Sequence, residues 1–204
     1  MLIFASLRIK LSVVDELKTK EAIASMPSYE ADRQVVCRTK KKNLPDYPPE
    51  PKSLSEIEIP DFLKKTLEFE GQNSDNFFFY DSGKDDENRF FIFTTEENLK
   101  LLEKSNCFAD GTFSVAPNLF YQVYTIHAFV NGRCIPLVYC LLPRKTEEIY
   151  IRVLTAISTK LNRFPISITT DFEKAFINSI KKIFPSTKIH GCFFHFKQAV
   201  WRKI

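Results

Sequence analysis

The sequence is poor in glycine, with five in 204 residues against twenty phenylalanines. That ratio leaves few flexible hinges and implies a core built largely from aromatic rings. It also has no Cys-x-x-Cys pair. The five cysteines, Cys37, Cys107, Cys134, Cys140 and Cys192, are odd in number and scattered. This argues against a disulfide framework, and free thiols in an intracellular, reducing compartment are expected. No apolar run is long enough to span a bilayer, so no membrane partner is expected. Arg8 and Lys10 interrupt the apolar start MLIFASLRIKLSVV, which disfavours a cleaved secretory leader. Histidine is scarce too, and residues 1–60 contain none, so a Cys₂His₂ zinc finger cannot be assembled there.

What is present is an ordinary globular balance, 44% hydrophobic, with a formal net charge of +4. A mildly basic chain is compatible with nucleic acid without pointing to it. Residues 12–25 read as an exposed helix with a thin apolar stripe, stopped by Pro27. The basic run Arg38, Lys40–Lys42 then reads as a solvated linker or, alternatively, as a contact to DNA backbone. The prolines between Pro45 and Pro51 forbid helix and sheet interior. Two aromatic runs in FFFYDSGKDDENRFFIFT predict a hairpin over 77–94. TTEENLKLLEKS predicts a short helix capped by Thr95.

From residue 107 the pattern sharpens. CFADGTFSV, LFYQVYTIHAFV and RCIPLVYCLL read as three strands, the last two joined by Asn131-Gly132, a strong hairpin signal. TEEIYIRVLTAISTKL reads as a helix, PISITTD as a buried strand, and FEKAFINSIKKIF as a helix presenting Phe172, Phe176, Ile180 and Ile183 on one face. TKIHGCFF reads as a last strand, and HFKQAVWRKI opens a final helix. A hairpin followed by alternating helices and strands predicts an α/β fold with a mixed sheet and flanking helices. The domain organisation read from these shifts is an N-terminal helix and basic, proline-rich linker over 1–60, a hairpin and helix over 61–106, and a core over 107–204.

Two aspartates stand out. Asp110 interrupts an apolar strand and precedes Gly111, which allows close approach of a backbone or ligand. Asp171 sits where a strand ends and a helix begins. Each has a plain explanation, a bulge or surface turn for Asp110 and a helix N-cap for Asp171. If the fourth core strand docks beside the first, however, their carboxylates lie close, and a cation resolves the repulsion. Paired carboxylates suit divalent Mg or Mn and the cleavage or transfer of polynucleotides.

FADGTFSVAPNLFYQVYTIHAFVNGRCIPLVYCLLPRKTEEIY, ITTDFEKAFINSIKKIFP and IHGCFFHFKQAVWRKI together resemble the transposase domain of Mutator-like elements, over about residues 60–204. The resemblance implies a ribonuclease H-like fold, a DDE catalytic triad, a divalent metal cofactor, DNA as partner and a nuclear location. It matches the first acid, in a DGTF-type strand, to Asp110. It matches the second, in a D-x-E-x-A pattern, to Asp171 with Glu173 and Ala175. Its C-x-x-H motif falls on Cys192 and His195.

The family's third acid, a downstream Glu, has no counterpart before Ile204. The fold is therefore expected to be incomplete at its C-terminus, without the final helix that would carry this Glu, and to be preceded by an irregular N-terminal extension. The expected product is a transposase fragment inactive alone, or else a non-catalytic remnant that binds DNA or protein. A homo-oligomer is left open for a full-length form. A shortened gene product without a stable fold is a third reading, motivated by Phe196, Val200, Trp201 and Ile204 on the final helix.

Cys192 and His195 are two of the four ligands a structural zinc needs, with His190 and His127 as candidates for more. His195, Gln198 and Arg202 share a helix face. Lys197, Gln198, Arg202 and Lys203 are candidate contacts to DNA.

Overall fold

The computed structural model describes residues 29–42, 47–67 and 74–202, divided into a unit that ends at Tyr47 and a larger one that begins at Pro48. The helix expected over 12–25 lies outside the described residues, as do Lys203 and Ile204. In the first unit, α1 spans Tyr29–Lys42. The basic run expected as linker therefore closes a helix.

The larger unit is organised by one open, seven-stranded sheet with the order β1-β2-β5-β4-β3-β6-β7. Its strands are β1 (Phe78–Asp81), β2 (Phe91–Phe93), β3 (Asn106–Thr112), β4 (Gln122–Val130), β5 (Arg133–Leu142), β6 (Ser167–Thr170) and β7 (Lys188–Gly191). The helices are α2 (Glu96–Leu102), α3 (Glu147–Ser158), α4 (Lys174–Ile183) and α5 (Phe193–Trp201). The pairs β3–β6 and β6–β7 are parallel and the rest antiparallel, so the sheet is mixed, as expected of a ribonuclease H-like fold. The fourth core strand, β6, does dock beside the first, β3.

Local chemistry accounts for the boundaries. Thr95 caps α2 by accepting the Asn98 N–H at 3.1 Å, and Thr146 caps α3 by accepting from Ile149 at 3.4 Å. Asn131 and Gly132, at φ of 48° and 77°, form the left-handed turn between β4 and β5. Pro136 lies within β5, where the β4–β5 register shifts between Ile126 and His127; a residue without an N–H is tolerated at such an irregularity. The final helix begins at Phe193, two residues before the sequence pattern suggests, because the β6–β7 ladder ends at the pair Thr170–Gly191.

One sheet face carries the core. Gln122, Tyr124, Ile126 and Ala128 alternate inward along β4, beside Cys107 and Ala109 of β3 and Ile168 of β6. Tyr150, Val153, Leu154 and Ile157 of α3 and Phe176 and Ile180 of α4 cover them. Phe172, expected on the same face as Phe176, lies outside α4 and is 54% exposed. It serves instead as a lid over Gly191, where an added Cβ would stand 2.7 Å from its ring.

At β2, between the β1 edge and β5, both faces are covered. Phe91 is fully buried, with the rings of Phe78 and Phe120 at 5.8 and 5.7 Å and the Arg89 guanidinium at 4.8 Å. Arg89, 3% exposed, grips Asp81 with two hydrogen bonds of 2.8 and 2.6 Å. It also donates to the carbonyls of Leu54, Ser55 and Ile57, which straps residues 54–57 to the sheet. Among the described residues no helix is long and apolar enough to cross a membrane.

Candidate metal and nucleic-acid site

The parallel register of β3 and β6 ends at the pair Ala109–Thr170. One step further stand Asp110, still within β3, and Asp171, just past the end of β6, on neighbouring strands roughly 4.8 Å apart in backbone spacing. The β6–β7 register carries the same row onward, because Thr170 pairs with Gly191 and the Cys192 N–H donates to the Thr170 carbonyl at 2.8 Å. On the other side Asp110 pairs with Thr125, whose hydroxyl donates to the Asp110 carbonyl at 3.3 Å. The fold thus gathers Thr125 of β4, Asp110 of β3, Asp171 just past β6 and Cys192 just past β7 along one line across four adjacent strands.

Both carboxylates are held by backbone. The Gly111 N–H donates to Asp110 Oδ1 at 2.9 Å, and the Glu173 N–H donates to Asp171 Oδ1 at 3.2 Å. Asp171 also accepts from the Thr170 hydroxyl at 3.4 Å. The N-cap of α4 is Glu173, so Asp171 is not that helix's cap. Asp110 lies within the β3 ladder, paired with Thr125, with no bulge at this point.

The glycine after Asp110 has a definite neighbour. A Cβ at Gly111 would stand 2.4 Å from Gln122 Oε1 and 3.3 Å from the Tyr124 ring, so the close approach is by the β4 side chains rather than by backbone.

Glu173 joins the site. The Tyr150 hydroxyl reaches both of its carboxylate oxygens at 3.3 Å. Burial, followed by the neighbouring Asp171 charge, pushes its carboxyl above the usual range. In the sequence Glu173 is visible only as part of the D-x-E-x-A pattern. Nothing there announces its link to Tyr150, 23 residues earlier.

The donor set fits a hard divalent cation in part. Mg²⁺ keeps several waters and is commonly held by one or two carboxylates, which Asp110 and Asp171 provide. Among the described residues no group of three or more His, Cys, Asp or Glu side chains is gathered for a metal. A structural zinc does not fit the C-x-x-H pair. His127, Phe108, Thr169 and His190 are partners in one row across β4, β3, β6 and β7. That places His127 three strand spacings, roughly 14 Å, from His190. Cys192 is half-buried at the start of α5, and the Nδ1 atom of His195 is buried without a partner. Burial pushes the Cys107 thiol up to about 12 and raises Cys140 as well, so these two are packing groups rather than nucleophiles.

The helix that follows contributes no buried residue, and Phe193, Phe194, Phe196, Val200 and Trp201 are exposed along it. Lys197 lies over the Phe193 ring at 5.9 Å, and Arg202 is exposed at the C-cap. From Lys174 to Ile204 the sequence contains seven Lys and Arg residues and no Asp or Glu.

A family model described as the MULE transposase domain matches residues 107–199. Comparison with curated proteins gives no match. Among solved structures, the chain is similar to one in a cryo-EM structure of a simian T-cell lymphotropic virus intasome in complex with PP2A regulatory subunit B56 gamma, at 20% identity and a TM-score of 0.32. The similarity covers 45% of this chain and 33% of that one.

Proposed function

We infer that this chain, whose residues 107–199 carry the MULE transposase domain, forms the part of a transposase that presents the first two acids of a DDE site to DNA. The observation that supports this most is the β3–β6 register, which sets Asp110 and Asp171 on adjacent strands on the side of the sheet where α5, with Lys197, starts. Asp110 and Asp171 would hold the divalent ion. When bound, it would supply Lewis-acid stabilisation at a phosphoryl oxygen of the DNA backbone.

The remaining work belongs to the protein. The Gly111 and Glu173 N–H groups orient the two carboxylates. Lys197, Gln198 and Arg202 bring the DNA backbone to this side of the sheet, with Lys203, outside the described residues, as a further candidate contact by its charge alone, and the nucleus is where such a substrate is met. Within these 204 residues no acid follows Glu173, so they offer two of the three carboxylates of the family pattern. By themselves these residues bind DNA and metal without turning over, since losing a ligand misplaces the reacting groups.

The experiment is an end-containing DNA duplex incubated with the chain and Mg²⁺ or Mn²⁺. We expect salt-dependent binding and no strand nicking or transfer. Turnover abolished by Asp110→Asn would refute the inactivity, and absence of DNA binding at low salt would refute the reading as a whole. A second reading, a module that binds DNA or a protein partner without any catalytic part, is favoured by one observation: α5 buries none of its residues. Retention of full DNA affinity by a variant that binds no metal would support it.

A further inference from the structure

Beneath the two acids runs a continuous line of buried polar groups, resting on side chains that the acid pair itself does not include. Gln122 is completely buried on β4. Its Nε2 donates to the Tyr150 hydroxyl at 2.7 Å, and that hydroxyl donates in turn to Glu173 at 3.3 Å. The other end of the same amide, Oε1, is buried without a hydrogen-bond partner and lies against Gly111, the residue after Asp110. An orphaned acceptor of this kind is costly, so a fold that keeps it needs a reason.

A second line runs parallel to the first. Tyr124, whose ring also touches the Gly111 position, has its hydroxyl 3.4 Å from Thr170 Oγ1, which donates to Asp171. The two tyrosine rings are 5.1 Å apart, and Phe176 of α4 packs on both, at 4.7 Å from Tyr124 and 5.1 Å from Tyr150. The strand bearing the first acid and the loop bearing the second are therefore clamped to the same buried cluster.

We propose that Gln122, Tyr150 and Glu173 form a bracket that sets the spacing of Asp110 and Asp171, making them positioning residues for a divalent cation. The inference rests on the assignment of Asp110 and Asp171 as the metal-holding pair. The bracket acts on both acids at once. Gln122 fixes how far β3 can approach β4 at Gly111. Tyr150 fixes the side chain of Glu173, the residue whose backbone N–H holds the Asp171 carboxylate. Glu173 works as the acceptor of the Tyr150 hydroxyl and not as a ligand. Outer partners of this kind typically change metal affinity by about 10–100-fold when removed.

The test is Mn²⁺ titration of the 204-residue chain, read as paramagnetic broadening of backbone amide resonances, beside urea unfolding of each variant. Wild type should show broadening centred on the amides of residues 109–112 and 170–173. Tyr150→Phe keeps the ring packing and removes only the hydroxyl; it should weaken Mn²⁺ binding about 10-fold. Glu173→Ala should do the same, while Glu173→Gln, which still offers an acceptor, should bind nearly as wild type. The double variant Tyr150→Phe/Glu173→Ala should lose no more than either single change, because both break one chain. Ile92→Val, a core change across the sheet on β2, should lower stability and leave Mn²⁺ binding intact.

Three results overturn the proposal. Broadening with wild-type affinity in Tyr150→Phe shows that the bracket does not position the acids. A Glu173→Gln variant as weak as Glu173→Ala makes Glu173 a ligand. Weakening by Ile92→Val equal to that by Tyr150→Phe reduces the effect to stability. No Mn²⁺ broadening near Asp110 in wild type is a different failure, because it removes the metal-holding pair itself together with everything resting on it.

Discussion

The two sides of the sheet are built to opposite rules. At β2, one strand in from the β1 edge, the rings of Phe90 and Phe91 and the side chain of Ile92 are fully buried, and a buried arginine straps an irregular segment to the sheet. At the β7 edge the aromatic residues face outward, with Phe193 at 72% and Trp201 at 74% exposure, and the charged residues carry one sign. Between the two lies the row bearing Asp110 and Asp171. The contrast separates two uses of the same residue type: rings at one edge make stability, and rings at the other remain available for a partner, alongside the acids that a nucleic-acid substrate would have to reach.

The comparison can be broken most sharply from the enclosed side. Arg89→Ala removes a buried cation and leaves Asp81 and three carbonyls without their donor; a loss of about 3–5 kcal/mol in urea unfolding is expected. Phe176→Ala, in the core behind the acids, should cost a similar ~3–5 kcal/mol because the cavity is ringed by Tyr124 and Tyr150. Gly111→Ala forces a methyl against the pinned Gln122 amide and should cost about 1–3 kcal/mol, with Mn²⁺ binding lost beyond what stability explains. On the open side, Trp201→Ala should change stability by no more than about 0.5 kcal/mol. A large loss there would mean that the β7 edge is structural after all.

pH sharpens the same contrast. The Arg89 hydrogen bonds hold the Asp81 carboxyl below its usual value. At Asp86 burial pushes upward but is outweighed by Arg152, Ser82 and the Asn88 N–H, and the net shift is also downward. Both contribute stability that is complete above the unfolded Asp value, about 3.9, and is lost as pH falls through the folded values. Glu173 has the opposite sign. Its folded carboxyl holds the proton more tightly, so its contribution declines as pH rises from the unfolded Glu value, about 4.3, through the raised one. Urea midpoints taken from about pH 3 to pH 7 should show a shallower acid fall for Asp86→Asn. They should also show wild type losing ground to Glu173→Gln as pH rises.

Much of the β3-to-α5 core is legible in the sequence because each element announces itself locally. Asn131-Gly132 marks the β4–β5 turn, Thr95 and Thr146 cap their helices, and the alternation along QVYTIHAFV matches the inward row Gln122, Tyr124, Ile126 and Ala128. What the sequence conceals is non-local. The union of the β1–β2 hairpin with β5, the capture of residues 54–57 by Arg89 and the Gln122–Tyr150–Glu173 chain each join residues tens of positions apart. Phe172 is misread for a related reason. Its spacing from Phe176 fits a helix face, yet the turn that holds Asp171 ends the periodicity just before it can apply.

The most direct test of the account is Mn²⁺ binding by the wild-type chain and by Asp110→Asn and Asp171→Asn, followed by paramagnetic broadening of amide resonances. Broadening centred on residues 109–112 and 170–173 that either substitution removes, with urea stability retained, is the expected result. Broadening that survives both substitutions, or that centres on Cys192 and His195, would contradict the assignment of the two aspartates as the metal-holding pair.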